Sequence, residues 1–305
     1  MNKISNPKNF LNGMEDIIPR KNDSPYQRIL VIGDIHLCFN KLMSLWKKLN
    51  VTDKDLCIFL GDYIDRGNEG AKTLEWLFEQ SNKENFIFLA GNHEFMFVET
   101  YKQDRELLDK IFRGEKTQLT EQDLKKYQAT VDWVVTGGDK TINALLTLRQ
   151  KNEFIVDEFL DFIRELPLSH TIEIDGKKYF AVHAGIRPGI SLEEQSAIDL
   201  LWIRKEFFHR SRGYNGNDVI IVGHTPTQRL SRRDKARGIY MTSEDKFLVG
   251  HMKPDECLDN SKPFKIPNRN ILMLDTGSWR SSISAVDIIS GQYWQSDKDE
   301  DFRKE

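Results

Sequence analysis

The chain has 305 residues, 39% hydrophobic and 30% charged, with a formal net charge of −3. That balance suits one large domain or two small ones, and gives no reason to expect a nucleic-acid or membrane surface as partner. No apolar run approaches the ~20 residues that span a bilayer, and residues 1–20 lack the continuous apolar core of a secretory signal.

Residues 1–26 are polar and rich in Asn, Lys and Pro, the composition of a flexible arm. Residues 28–36 are a continuous apolar run that stops in Gly33-Asp34, as strands buried on both faces do. Leu42, Met43, Leu45, Trp46 and Leu49 recur at helical spacing, which predicts a helix. A strand over 56–60, a helix over 70–79 and a strand over 86–90 continue the alternation. A β-α-β-α-β start favours a parallel or mixed layered sheet. From 95 to 166 charged residues dominate, amphipathic segments such as 107–112 and 154–166 appear, and no strand signal is clear. This predicts a helical insertion covering one edge of the site. Residues 171–174 and 178–182 flank Asp175-Gly176 and predict a hairpin. Buried strands are expected at 219–222 and 271–274. Between them lies 229–267, long, polar and basic around Arg232, Arg233, Lys235 and Arg237. A last hairpin is expected from 283–289 and 292–295 around Ser290-Gly291, followed by an acidic tail over 296–305. The main domain is thus expected over 27–295, with no internal repeat. Cys38, Cys57 and Cys257 are odd in number and unrelated in spacing, so neither a disulfide framework nor a cysteine-type zinc site is expected. A reduced cytoplasmic compartment fits best.

Chemistry gathers where the strands stop. Leu60-Gly61-Asp62-Tyr63-Ile64-Asp65-Arg66-Gly67 packs two carboxylates and an arginine behind an apolar run. Asp62 would sit at a carboxyl end of the sheet, where open α/β folds bind their ligands. A carboxylate there is a natural bridge between two cations about 3.5–4 Å apart. The same design recurs in Gly33-Asp34-Ile35-His36, Gly91-Asn92-His93-Glu94, His183-Ala184-Gly185 and Gly223-His224-Thr225-Pro226. Taken alone, each has a blander explanation: a capped turn, a helix N-cap, or a satisfied buried histidine. Five strand ends agreeing point to a metal site, and a mixed Asp/His/Asn set suits Mn, Fe or Zn better than Ca or Mg.

In order, these five motifs resemble the signature of the phosphoprotein phosphatases, within the calcineurin-like metallophosphoesterases, and Leu274-Asp275-Thr276-Gly277 looks like the family's closing strand. The resemblance implies a layered α/β fold, with a central mixed β-sandwich flanked by helices. It implies two divalent ions, with Asp34, His36 and Asp62 holding the first and Asp62, Asn92, His183 and His224 the second. His93 would be the general acid, oriented by Asp65. Arg66 would be one phosphate clamp and Arg204 the second, in a form similar to bacterial members, with Arg187 as runner-up. Asn92 would also face the substrate, while Glu94 and Asp275 would be structural. Leu37 stands where the family usually has glycine, and is expected to alter the start of the following helix or to narrow the substrate approach. His183-Ala184-Gly185 replaces the commoner His-Gly-Gly.

The implied chemistry is coherent. Two divalent ions, manganese first, can deprotonate a water between them near pH 7 and neutralise phosphate oxygens. Arginine matches phosphate through a planar fork, and a histidine held by a carboxylate suits proton donation to a leaving oxygen. The expected substrate is a phosphorylated protein or a small phosphoester. Two alternatives stand beside it. A metal-free binding module would need a lost ligand, and all six are present. A hydrolase of dinucleoside polyphosphates keeps the same ligands but, in the families it resembles, tends to have a small neutral residue where Asp65 stands. The sequence leaves the oligomeric state open.

Overall fold

The computed structural model describes residues 25–210, 218–227 and 271–298. Most of the expected arm, the 229–267 stretch and most of the acidic tail lie outside them. Strands β1 (Arg28–Ile32), β2 (Asp55–Phe59) and β3 (Phe86–Phe88) are parallel neighbours. The first sheet is completed on the other side of β1 by the last two strands among the described residues, β8 (Ser284–Asp287) and β9 (Tyr293–Gln295), which run antiparallel. In a second sheet, β4 (Ser169–Ile174) and β5 (Lys177–Val182) form the expected hairpin, and β6 (Val219–Val222) and β7 (Ile271–Met273) lie parallel to β5. Asp175 and Gly176 both take positive φ (50° and 73°), the twist that a two-residue hairpin turn requires.

The strands are buried on both faces because the sheets face each other. Ile29, Val31, Leu56 and Ile58 share one buried layer with Tyr179, Ala181, Val219 and Ile221 of the second sheet. Their alternate neighbours, Leu30, Ile32, Cys57 and Phe59, join the helices in the larger core. There α1 (Phe39–Leu49) and α2 (Gly70–Ser81) cover the first sheet. Phe59 stacks on Phe88 at 4.6 Å between centroids, and Trp46 and Trp76 close over it. Asn50 ends α1 in the left-handed conformation with its N–H on the Trp46 carbonyl. The result is a layered α/β fold built on a mixed β-sandwich.

Six helices separate β3 from β4: α3 (Asn92–Gln103), α4 (Arg105–Phe112), α5 (Glu121–Lys126), α6 (Gln128–Trp133), α7 (Asp139–Arg149) and α8 (Ile155–Glu165). Between α6 and α7 the helix breaks over Val134–Gly138, with Gly137 at φ 110°. Two short helices, α9 (Ala197–Trp202) and α10 (Lys205–Arg210), follow β5. Past β9, Asp297 is held against α1 by Ser44 and Lys48. Among the described residues, no helix is long and apolar enough to cross a membrane.

Candidate metal centre

Register decides who meets whom. Ile32 pairs with Phe59, and Phe59 with Phe88, so Asp34, Asp62 and Asn92 leave the sheet on the same edge. In the second sheet Val182 pairs with Val222, and Gly223 N–H donates to the His183 carbonyl at 2.9 Å, setting His183 beside His224. Two glycines make these approaches tight enough, Gly91 between neighbouring strand ends of the first sheet and Gly223 between the sheets. A Cβ on Gly91 would lie 2.3 Å from Asp62 Oδ1, and one on Gly223 2.2 Å from Asp34 Oδ1. His36, Leu37, Asp62, Asp65, Arg66 and His224 all take left-handed backbone, a concentration of strain typical of functional sites. Glu94 pins the central loop: its two oxygens accept the N–H groups of Asp62, Tyr63, Ile64 and Gly91 at 2.8–3.3 Å.

Two groups of potential ligand atoms result, each within 4.8 Å across: His36, Asp62 and His93, and Asp62, His183 and His224. Asp62 belongs to both. Its Oδ2 lies 3.5 Å from His36 Nε2 and its Oδ1 3.2 Å from His183 Nε2. Asp34 is buried next to them, accepting the His224 backbone N–H on both oxygens at 3.1 Å. Asn92 Oδ1 points between His183 Nε2 (3.0 Å) and His224 Nδ1 (2.7 Å).

The donor set fits cations. His36 Nδ1 lies 2.8 Å from the Ile64 carbonyl and His183 Nδ1 2.8 Å from the Leu60 carbonyl. A carbonyl only accepts, so both Nδ1 atoms carry the proton and both Nε2 lone pairs face the site, the usual support for a metal-ligating imidazole. The His183 lone pair therefore faces two acceptors, Asn92 Oδ1 and Asp62 Oδ1, with no proton to share. A cation resolves that opposition. Burial holds His36 and His224 well below the ordinary imidazole range and lowers His183 too, keeping them neutral. Burial, then Asp275 and Asp62, push Asp34 well up, and burial raises Glu94 to about 7 and Asp275 to about 6. Burial would also raise Asp62, but the imidazoles around it outweigh burial and hold its carboxyl low, His93 being the one whose own pKa is raised. Four carboxylates in one buried cluster are an excess of negative charge that divalent ions would offset.

His93 Nδ1 is 2.6 Å from Asp65 Oδ2. Burial lowers this imidazole, but Asp62 and Asp65 outweigh it and its pKa is raised. Arg66 donates to His36 Nε2 at 2.7 Å and His93 Nε2 at 2.8 Å, and its guanidinium lies 5.5 Å from the Trp279 ring centre. Arg204 sits at the rim of the second group, its Nε on Thr225 Oγ1 (3.1 Å) and its Nη2 on the His224 carbonyl (3.2 Å). Arg187 is instead turned onto Asp199 in a two-pronged ion pair. Leu37 does not narrow the approach: its side chain is fully buried and packs toward Gly70. Sequence reasoning missed Trp133 and Thr141, which both donate to Asp65, and Trp279. The one visible signal for the first two was Gly137-Gly138, a helix-breaking pair inside a helical stretch.

Comparison with known proteins follows the same motifs. The family described as calcineurin-like phosphoesterase matches residues 27–255. Serine/threonine-protein phosphatase 2 of Salmonella typhimurium is 30% identical over 211 residues, which is 67% of this chain and 82% of that protein. Serine/threonine-protein phosphatase 1 of the same organism is 26% identical over 221 residues, 70% of this chain and 86% of that protein. The asymmetrical bis(5′-nucleosyl)-tetraphosphatase PrpE of Anoxybacillus flavithermus is 26% identical over 225 residues, 65% of this chain and 78% of that protein.

Proposed function

The chain belongs to the calcineurin-like phosphoesterase family, and from that premise we propose that this hydrolase is a phosphomonoesterase acting on phosphoserine or phosphothreonine. The observation that carries the reading is the 2.6 Å contact between His93 and Asp65 beside the ligand cluster. A serine or threonine alkoxide is a poor leaving group and needs a proton as the P–O bond breaks. A polyphosphate leaving group is far less basic and needs that donor less. Likeness to the two Salmonella phosphatases supports the same substrate class.

In this reading Asp34, His36 and Asp62 would hold one ion, and Asp62, Asn92, His183 and His224 the other, with manganese the first choice and iron or zinc the alternatives. Bound there, two divalent ions supply an activated water at neutral pH and neutralise phosphate charge. The chain's own groups do the rest. Arg66 and Arg204 grip the phosphate from opposite ligand groups and align it for in-line attack. His93, its Nδ1 fixed on Asp65, delivers a proton from Nε2 to the leaving oxygen. Arg66 must first release both histidines: the His36 Nε2 lone pair cannot serve a guanidinium and a metal together, and a His93 Nε2 that carries the proton has no lone pair to accept from Arg66.

The PrpE likeness supports a second reading, a dinucleoside tetraphosphate hydrolase using the same ligands. The two separate in kcat/KM for phosphothreonine peptides and diadenosine tetraphosphate at equal manganese. The peptides are expected to be preferred. A tenfold preference for the dinucleotide, about 1.4 kcal/mol in transition-state binding, hands the assignment to the second reading.

A further inference from the structure

We propose that the helix break between α6 and α7 is a positioning device for proton transfer: Trp133, Gly137 and Thr141 hold the Asp65-Arg66 turn and, through Asp65, the ring of His93. The inference rests on the roles given above to His93 and Asp65, and adds residues to which those roles assign nothing.

Asp65 is completely buried, and both its oxygens are taken. Oδ2 accepts from His93 Nδ1 at 2.6 Å and from Trp133 Nε1 at 2.9 Å. Oδ1 accepts from the Thr141 hydroxyl, whose oxygen in turn accepts the Asp65 backbone N–H at 3.0 Å. The next backbone N–H, of Arg66, donates to the Gly137 carbonyl at 3.2 Å. Asp65 and Arg66 both stand at φ 69°, a conformation that side chains other than glycine avoid and that persists only where the surroundings dictate it. Two of those dictating contacts come from the break and the first turn of α7 behind it: the Gly137 carbonyl and the Thr141 hydroxyl.

The break is shaped for this. Gly137 has φ 110°, and a Cβ there would lie 2.7 Å from Arg66 N, so only glycine lets the carbonyl reach the turn. A Cβ on Gly138 would lie 2.4 Å from the Trp133 ring, which folds under the break. The same ring packs on Phe97, at 5.1 Å between centroids, in the helix α3 that carries His93. Trp133 thus touches Asp65 directly and, through Phe97, the helix that carries His93. Deleting either donor frees the carboxylate to rotate, and the imidazole with it, which harms the step in which a poor leaving group is protonated. A merely structural role would lower stability and leave the substrate ranking alone.

The test uses the full manganese-loaded chain with T141V, T141S and W133F, assayed on phenyl phosphate and p-nitrophenyl phosphate. T141V and W133F are expected to lower kcat on phenyl phosphate about tenfold with KM nearly constant, and on p-nitrophenyl phosphate by less than about threefold. T141S, which keeps the hydroxyl, should restore the wild-type ratio. If W133F melts early, the T141V and T141S pair still decides. A second readout needs no turnover: in metal-free protein labelled at histidine, the His93 Nδ1–H resonance should be downfield and protected in wild type and T141S, and exchange-broadened in T141V. Equal losses on both esters, or an unchanged resonance in T141V, overturn the proposal. D65N separates this failure from that of the underlying roles. If D65N shows no leaving-group dependence, the His93–Asp65 assignment falls; if it does and T141V does not, only the present inference falls. Adding T141V to D65N should lose little more.

Discussion

At Leu37 the backbone and the side chain want different things. Left-handed backbone (φ 51°) costs a leucine roughly 1–2 kcal/mol, while burying its side chain returns about 1.5–3 kcal/mol. Leu37→Gly relieves the first and forfeits the second while opening a cavity, so the chain should lose about 1–3 kcal/mol on chemical denaturation. Bound metal should be unchanged; a changed stoichiometry would place Leu37 in the site rather than the core. Asp62 is the opposite case, a buried side chain whose weight is in its charge, though its Oδ1 also accepts the His93 backbone N–H at 3.1 Å. Asp62→Asn removes charge from the one carboxylate shared by both ligand groups. Elemental analysis should find less than two ions per chain, and turnover should vanish. His93→Asn should leave the ion count alone and cut kcat by ~10²–10⁴, most for the poorest leaving groups. Equal losses across leaving groups would remove His93 from proton transfer.

Elements explain which parts of the molecule can be read from the chain. The parallel strands were legible because burial on both faces demands continuous apolar runs, and the ligands were legible because they follow such runs, Asp34, Asp62, Asn92 and His224 each directly after a glycine. Boundaries were less so. β3 stops at Phe88 because Ala90 N–H bonds to the Pro167 carbonyl and the chain leaves the sheet. β1 stops just after Ile32: Gly33 N–H makes a last bond to Ser284 of β8, and Ile35 and His36 then both turn to donate to the Asp62 carbonyl. The break at Val134–Gly138 was not legible as a contact with Asp65: a tryptophan in an amphipathic stretch reads as core, and its N–H partner lies 68 residues away. Glu94, on the first turn of α3, could be named as structural but not weighed. It collects four backbone N–H groups, and Glu94→Gln would turn an amide NH₂ toward at least one of them. At ~1–3 kcal/mol for each donor left unpaired, thermal unfolding should shift down by several degrees, and manganese should be retained less well through dialysis.

Across the whole molecule, the proposed ligands for the second ion come from both sheets: Asp62 and Asn92 follow β2 and β3, His183 and His224 follow β5 and β6. An ion held there would tie the two faces of the sandwich at one edge. Loading should therefore stabilise the fold by about 2.7 kcal/mol per ion at a hundredfold excess over Kd. Scanning calorimetry should show a lower melting temperature after chelation and its return with manganese. A chelated chain that melts unchanged would mean that no ion links the sheets.

That division between sheets also sets a schedule. A ribosome emits Asp34, His36 and Asp62 early, and the two strands that carry them are parallel neighbours in the finished sheet. His224 emerges roughly 10–30 s afterwards at ~5–20 residues per second. Through that interval the nascent chain can offer an ion only the first half of its final cage. A second ion would be admitted only after synthesis has passed β6, so the pair would assemble sequentially, with any metal held by the early half already in place when the later histidines arrive.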